Sequence, residues 1–383
     1  MIPYGHQDIR AEDIDAVADV LKSDFITQGP AIPRFEEQVA RYCGTSHAVA
    51  VSNATAALHI ACLALGLGPG DWAWTSPNTF VASANCARFC GANVDFVDID
   101  PLTYNMAPEA LAAKLEIADR EKRLPRIVIP VHFAGQSCDM RSIRELALKY
   151  DFRIVEDASH CIGGRYLDEP IGSCRYSDIA VFSFHPVKII TTGEGGMALT
   201  NDAKLAKHME RLRSHGITRD AAVIAADNEG PWYYQQVELG MNYRLTDIQA
   251  ALGSSQLSRV DAYVARRHEL ARRYDQRLGQ MPVALPYQHP EGYSALHLYP
   301  VWIDPQHRSR TEVFKAMRSK GIGVNVHYIP VHTQPYYRAL GFSPGVFPNA
   351  ERYYAGAISL PMFPTMTENE QDRVIEALTS ALV

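Results

Sequence analysis

The chain has 383 residues, 47% of them hydrophobic and 21% charged, and a formal net charge of -6. Chains beyond roughly 250–300 residues usually divide into more than one domain, so this one can build a full core and a second unit. The balance is not that of a disordered, collagenous or coiled-coil chain, and without a bulk positive field neither nucleic acid nor an anionic membrane is an expected partner.

In chain order, apolar positions Ile9, Ile14, Val17, Val20 and Leu21 recur near the helical period, predicting a helix over Asp8–Lys22. A second helix follows over Pro30–Cys43, then a short apolar strand, His47–Val51. Ser52 and Asn53 offer caps to a helix over Ala54–Leu65, and Leu67–Gly70 reads as a turn. Strand-like runs then appear at Val94–Asp98, Arg126–Phe133, Phe152–Glu156, Ile179–Phe184 and Met197–Thr200, with helices over Glu109–Lys122 and Met140–Tyr150. Such alternation predicts an α/β fold with a mostly parallel sheet covered by helices. Ligands of such sheets sit outside the carboxyl ends of the strands. From Thr246 a long Arg-rich helical run extends to about Leu278. Strands at Leu296–Ile303 and Gly323–Tyr328 and helices over Thr311–Lys320 and Glu368–Leu382 follow, with a surface loop at Gly341–Pro348. We therefore expect a large domain over 1–245 and a linking helix with a smaller α/β domain over 246–383.

The seven cysteines are odd in number and contain no CxxC pair, which suits small buried residues in a reducing compartment. Met1 to Arg10 lack the apolar core of a signal peptide, and the apolar run Ala54–Leu65 is too short to span a bilayer. A cytoplasmic protein is expected.

Five segments carry candidate chemistry. In Arg153–His160 an apolar strand ends at Glu156-Asp157, with His160 just beyond. A carboxylate at a strand end is what a pyridoxal phosphate (PLP) enzyme needs to keep the pyridine nitrogen protonated, although Asp there also serves as a helix cap. In Val181–Lys188 a lysine follows a buried strand and precedes the turn Gly193-Glu-Gly-Gly196. A desolvated lysine has a lowered pKa and a free amine that attacks aldehydes; an ordinary loop lysine is the alternative. Ser183 can donate to a phosphate, and Ser52–Ala57 places small residues at a helix start, where free N–H groups bind phosphate or simply cap. Gly240–Arg244 leads into the long helix, with Asn242 and Arg244 near its start. His327 and His332 flank a proline without the carboxylates or cysteines of a zinc site, so no metal is expected.

Together these segments resemble the DegT/DnrJ/EryC1/StrS family of PLP-dependent sugar aminotransferases over nearly the whole chain. The likeness runs through Thr27-Gln-Gly-Pro30, Pro77-Asn-Thr-Phe80, Val131-His-Phe-Ala-Gly135, Glu156-Asp-Ala-Ser-His160, Ser183-Phe-His-Pro-Val-Lys188, Asn242-Tyr-Arg244, His327-Tyr-Ile-Pro330 and Ser359-Leu-Pro361. It implies the type I aminotransferase fold with a seven-stranded sheet. Lys188 matches the lysine that forms the Schiff base, Asp157 the carboxylate at the pyridine nitrogen, His160 the residue at the ring hydroxyl, and Phe80 the aromatic stacked on the ring. Ala54, Thr55 and Ser183 match the phosphate cup. Asn242 matches an asparagine that reaches the phosphate of a neighbouring subunit, implying a homodimer. Tyr4, Asp24, Phe25, Ile26, Thr27, His327, Tyr328, Ile329 and Pro330 match segments that hold the nucleotide sugar, as Ala54, Ser183 and Asn242 also border it. Within the family, Tyr4–Asp8, Pro77–Asp100 and Trp232–Gln236 are similar to members of the pseudaminic-acid route. Those members aminate C4 of a UDP-linked 4-keto-6-deoxy-N-acetylhexosamine of the L-arabino series. L-Glutamate is the expected donor, in a ping-pong cycle with Lys188 as proton carrier. Amination at C3, another sugar, or a non-catalytic PLP-binding regulator are the alternatives. The family's dehydratases carry His where this chain has Lys188.

Overall fold

The computed structural model describes residues 1–220, 222–224 and 230–382. Its centre is a seven-stranded sheet built from β1 (His47–Val51), β2 (Trp72–Thr75), β3 (Asn93–Phe96), β4 (Ile127–Ile129), β5 (Arg153–Asp157), β6 (Ile179–Ser183) and β7 (Gly196–Thr200). The spatial order is β1-β7-β6-β5-β4-β2-β3. Strand β7 runs against both of its neighbours, while β6, β5, β4, β2 and β3 pair in parallel. Alternate strand residues feed two cores, as a period-2 backbone buried on both faces requires. After the opening helix α1 (Ala11–Leu21), Ala50, Trp74, Val128, Ile154, Ala180 and Phe182 face one layer of helices, which includes α2 (Ala31–Cys43), α5 (Pro108–Arg120) and α6 (Met140–Tyr150). Val49, Ala73, Ile127, Val155, Ile179 and Val181 face the other, formed by α3 (Ala54–Ala64), α4 (Ala82–Phe89) and α7 (Ala203–Leu212).

Helix α3 is apolar around most of its circumference and is buried accordingly. Its start is fixed by Asn53, whose side chain accepts from the Ala56 N–H at 2.9 Å. Beyond Thr246 a three-stranded antiparallel sheet joins Val283–Ala284, Tyr299–Ile303 and Ala357–Leu360. It shares a third core with the helices Arg310–Ser319 and Glu368–Leu382.

Three expectations about elements are corrected. The run from Thr246 is two helices, α8 (Asp247–Leu257) and α9 (Val260–Leu278). The break sits at Arg259, whose guanidinium leaves the helix line to meet buried Asp13 at 2.6 Å and the Tyr263 hydroxyl at 2.9 Å. Gly323–Tyr328 is not a strand. It makes one bridge, Asn325 to Ser359, because its start pairs with the N-terminal segment instead, through Gly323 N–H to Ile2 O. Finally, β2, α4 and α7 are absent from the elements predicted by periodicity. β2 and α4 are short, whereas α7 carries a clear amphipathic stripe, Leu205, Ala206, Met209 and Leu212, that a period count could have found.

All seven cysteines are free and buried. Among the described residues no helix is long and apolar enough to cross a membrane, and no cluster of three or more His, Cys, Asp or Glu side chains is arranged to hold a metal.

Candidate active site

The carboxyl ends of the parallel strands open on a cavity of about 620 Å³. The strands supply it through the residues at and just past their ends. Val51 ends β1 and leads into the α3 start; Asp157 ends β5; Ser183 ends β6, with Lys188 in the next loop. The antiparallel β7 begins at the same rim, since Gly196 pairs with both Val51 and Ser183. Gly196 is required there: a Cβ would lie 2.6 Å from the Ala54 nitrogen and 2.5 Å from the Asn53 carbonyl carbon. The close passage keeps the α3 N-terminus, with Ala54 and Thr55, in the cavity wall.

Lys188 reaches the cavity from a loop held by its own N–H to the His185 carbonyl at 2.9 Å. Burial pushes its amine down to about 8, with Asp157 pulling the other way. At pH 7.5 about a quarter of such amines are neutral, against about one in a thousand for an ordinary lysine. Capture of PLP by the apoenzyme, followed by absorbance, should therefore accelerate as pH rises and level off above about 8. A rate still climbing steadily at pH 10 would contradict it.

Asp157 is buried and gripped by two hydroxyls. Ser83 Oγ donates to Oδ2 at 2.6 Å and Ser159 Oγ to Oδ1 at 2.6 Å. Thr79 Oγ1 lies 2.7 Å from Ser83 Oγ and must donate to it, because the Ser83 proton is engaged by the carboxylate. His160 is buried beside this group. Its Nε2 meets the Tyr328 hydroxyl at 3.1 Å, and its Nδ1 has no partner among the described residues. Burial, with Lys188 and other nearby charges, holds its pKa well below the usual value, so the ring is neutral at pH 7. His327 bonds Ser359 Oγ at 2.8 Å and is pushed down to about 3 by burial. Tyr4 stands 5.3 Å from it, ring to ring. Phe80 lines the mouth, 59% exposed.

Of the residues singled out from sequence, Tyr4, Ala54, Thr55, Phe80, Asp157, His160, Ser183, Lys188, His327 and Tyr328 therefore meet in one cavity. Asp24, Phe25, Ile26, Thr27 and Asn242 do not; they are exposed. Thr27 bridges to Thr246, and Asn242 bridges to Ser214. Ile329 is exposed and Pro330 buried, and neither lines the cavity. Part of the Arg219–Gly230 stretch, residues 221 and 225–229, lies outside the described residues. Sequence reasoning missed Ser83, Ser159 and His297. Ser159 lies inside the Glu156–His160 motif, but Ser83 reaches Asp157 from 74 positions away and carried no local signal.

The donor set suits PLP. An amine and an imidazole nitrogen without hydrogen-bond partners among the described residues, a buried carboxylate and a helix N-terminus surround a space of the right order for the cofactor and part of a sugar.

Comparison with known proteins agrees. The family model described as the DegT/DnrJ/EryC1/StrS aminotransferase family matches residues 7–379. The chain is 40% identical to the spore coat polysaccharide biosynthesis protein SpsC of Bacillus subtilis over 382 residues, covering 98% of this chain and 96% of that one. Among solved structures, Spr1654 of Streptococcus pneumoniae in its PMP form superposes with a TM-score of 0.91 at 30% identity, covering 100% of this chain and 99% of that one. PseC of Helicobacter pylori, an aminotransferase involved in the biosynthesis of pseudoaminic acid, gives 0.90 at 28% identity, covering 100% and 99%. The fold is that of the PLP-dependent aminotransferases, and the chain belongs to the DegT/DnrJ/EryC1/StrS family of PLP-dependent sugar aminotransferases.

Proposed function

We propose that the protein transfers an amino group from L-glutamate to C4 of a UDP-linked 4-keto-6-deoxy-N-acetylhexosamine, UDP-2-acetamido-2,6-dideoxy-β-L-arabino-hex-4-ulose, in pseudaminic acid biosynthesis. The observation that carries the chemistry is the buried Lys188 amine sharing one cavity with buried Asp157 and the α3 N-terminus. Likeness to PseC supports the choice of sugar. When bound, PLP supplies an electron sink for the carbon that loses or gains a proton.

The chain's own residues divide the remaining work. Lys188 Nζ would hold the cofactor covalently. Once displaced, the same amine takes the proton from Cα of the donor and later delivers one to the acceptor carbon of the sugar, which sets its configuration. Its lowered pKa suits both directions. Asp157 holds the pyridine nitrogen protonated, with Ser83 and Ser159 fixing the carboxylate in register. With PLP bound, His160 would hold the ring hydroxyl, Phe80 would cover the ring, and Ala54, Thr55 and Ser183, which share its cavity, would hold the phosphate. Tyr4, His327 and Tyr328 border the sugar side, with Ile329 and Pro330 continuing that segment. Asn242 serves the phosphate of a second subunit in a homodimer. Its exposure, and that of Asp24, Phe25, Ile26 and Thr27, supports a role across such an interface. The working compartment is the cytoplasm.

A second reading has its own support. The 40% identity with SpsC favours another nucleotide-linked keto sugar of a surface polysaccharide, aminated at C4 or C3. Incubation with L-glutamate and a panel of UDP- and dTDP-linked 3-keto and 4-keto sugars, with NMR assignment of the product, separates the two. A 4-amino product from the L-arabino UDP sugar alone supports the first reading. Amination only of a different sugar or carbon discards it in favour of the second.

A further inference from the structure

His297 belongs to no segment singled out by sequence, yet it forms part of the cavity wall and is only 4% exposed. Its Nδ1 is buried without a partner, and its ring makes no hydrogen bond to any described residue. The ring lies 4.4 Å from that of His160, centroid to centroid. Its backbone is clamped from two sides. Buried Arg267, which has no carboxylate partner among the described residues, donates from Nη1 to the carbonyls of Leu296, His297 and Met362 at 3.2, 3.1 and 3.0 Å. On the other side, Ala295 N–H and Leu298 N–H bond the Gly135 and Ala134 carbonyls. Gly135 has φ +104°, and a Cβ there would lie 2.8 Å from the His297 nitrogen.

A rigidly mounted imidazole with no partner is a poor choice for packing alone. An aromatic hydrocarbon would fill the space without the cost of burying an unbonded polar nitrogen. We propose that His297 is a reactant-binding residue of this active site, hydrogen-bonding through its ring an oxygen of the bound amino donor or keto sugar. The shared chemistry is an oxygen within reach of the wall beside His160: a carboxylate of the donor or a hydroxyl or carbonyl of the sugar. Burial keeps the ring neutral, so it offers one N–H and one acceptor lone pair. Arg267 and Gly135 then act as positioning residues, through the backbone of His297.

The inference rests on the Lys188 cavity being the active site, and borohydride reduction with peptide mapping of the labelled lysine checks that point separately. The test uses the PLP-loaded enzyme and its two half-reactions, each followed by cofactor absorbance in single turnovers. The probes are L-glutamate for the first and, for the second, whichever keto sugar the wild type aminates. His297→Phe keeps the ring and removes the polar atoms; His297→Leu is a second apolar replacement should the first misfold; His297→Gln returns a donor and an acceptor. Loss of one hydrogen bond should raise the half-saturating concentration about five- to thirtyfold in one half-reaction. PLP affinity and thermal midpoint should stay near wild type, and Gln should recover part of the loss. The half-reaction affected tells donor from sugar. Unchanged half-saturation in both half-reactions, or an equal loss of PLP affinity, overturns the proposal.

Discussion

Lys188→Ala is expected to lower turnover at least about a thousandfold. The side chain is asked to do two things that no neighbour can take over. Among the described residues it is the only lysine lining the cavity, the imidazoles of His160, His297 and His327 are too weakly basic to replace it, and an imidazole, that of His185 included, forms no lasting Schiff base. The variant should still bind PLP through the α3 terminus, since Ala54 and Thr55 are untouched, but should not retain it after borohydride treatment. Added methylamine should restore part of the rate, because a free amine can carry the proton that Lys188 carried. Lys188→Arg should be as slow as the alanine variant, since a guanidinium stays protonated and cannot serve as the base. A yellow, borohydride-fixable Lys188→Ala protein with another lysine labelled would end the assignment.

Asp157→Asn is expected to reduce the limiting rate of both half-reactions about a hundred- to thousandfold, with PLP still bound. The amide has nearly the shape of the carboxylate but neither its charge nor its second acceptor. Ser83 and Ser159 each donate to a different oxygen at 2.6 Å, so one of them would face an NH2 group. On the proposed role of Asp157, the lost charge would leave the pyridine nitrogen of bound PLP without its counter-ion and weaken the electron sink. Ser83→Ala tests the support alone. It leaves the charge in place but one oxygen free, and should cost on the order of tenfold, read in the same absorbance transients. Equal effects of Asp157→Asn and Ser83→Ala would mean that orientation, not charge, is the contribution of Asp157.

The parts of this site that could be read in the sequence are those in which chemistry and chain order coincide. Asp157 ends an apolar strand, Lys188 follows another, and Ala54 opens a helix after a third, so a period count and the strand-end rule place all three. The count of seven strands comes through resemblance only, since β2 gives no periodic signal, and the antiparallel direction of β7 is in neither reading, because direction leaves no mark in a five-residue run. Ser83 was invisible for a different reason. It lies on α4, a helix whose alternation of Ala, Ser, Asn and Cys has no clear amphipathic stripe, and its partner is fixed by how α4 packs on the sheet. His297 likewise gains its meaning from Arg267 and Gly135, neither of them near it in sequence. The break at Arg259 shows tertiary contact overriding a strong local pattern, since an ion pair with Asp13 competes with helix continuation.

The cavity wall draws together Tyr4, Ala54, Asp157, Lys188, His297 and Tyr328, segments from both ends of the chain. Contacts between such distant segments form late, since the intervening chain must first be ordered. During synthesis the cofactor therefore has no complete cradle until the segment around Tyr328 has emerged and docked. A ligand recognised only by the finished molecule shifts the folding equilibrium in favour of that molecule, by mass action. Vitamin supply thus enters the lifetime of this protein as well as its chemistry: chains made when PLP is scarce lose that added stability and spend longer open to proteases.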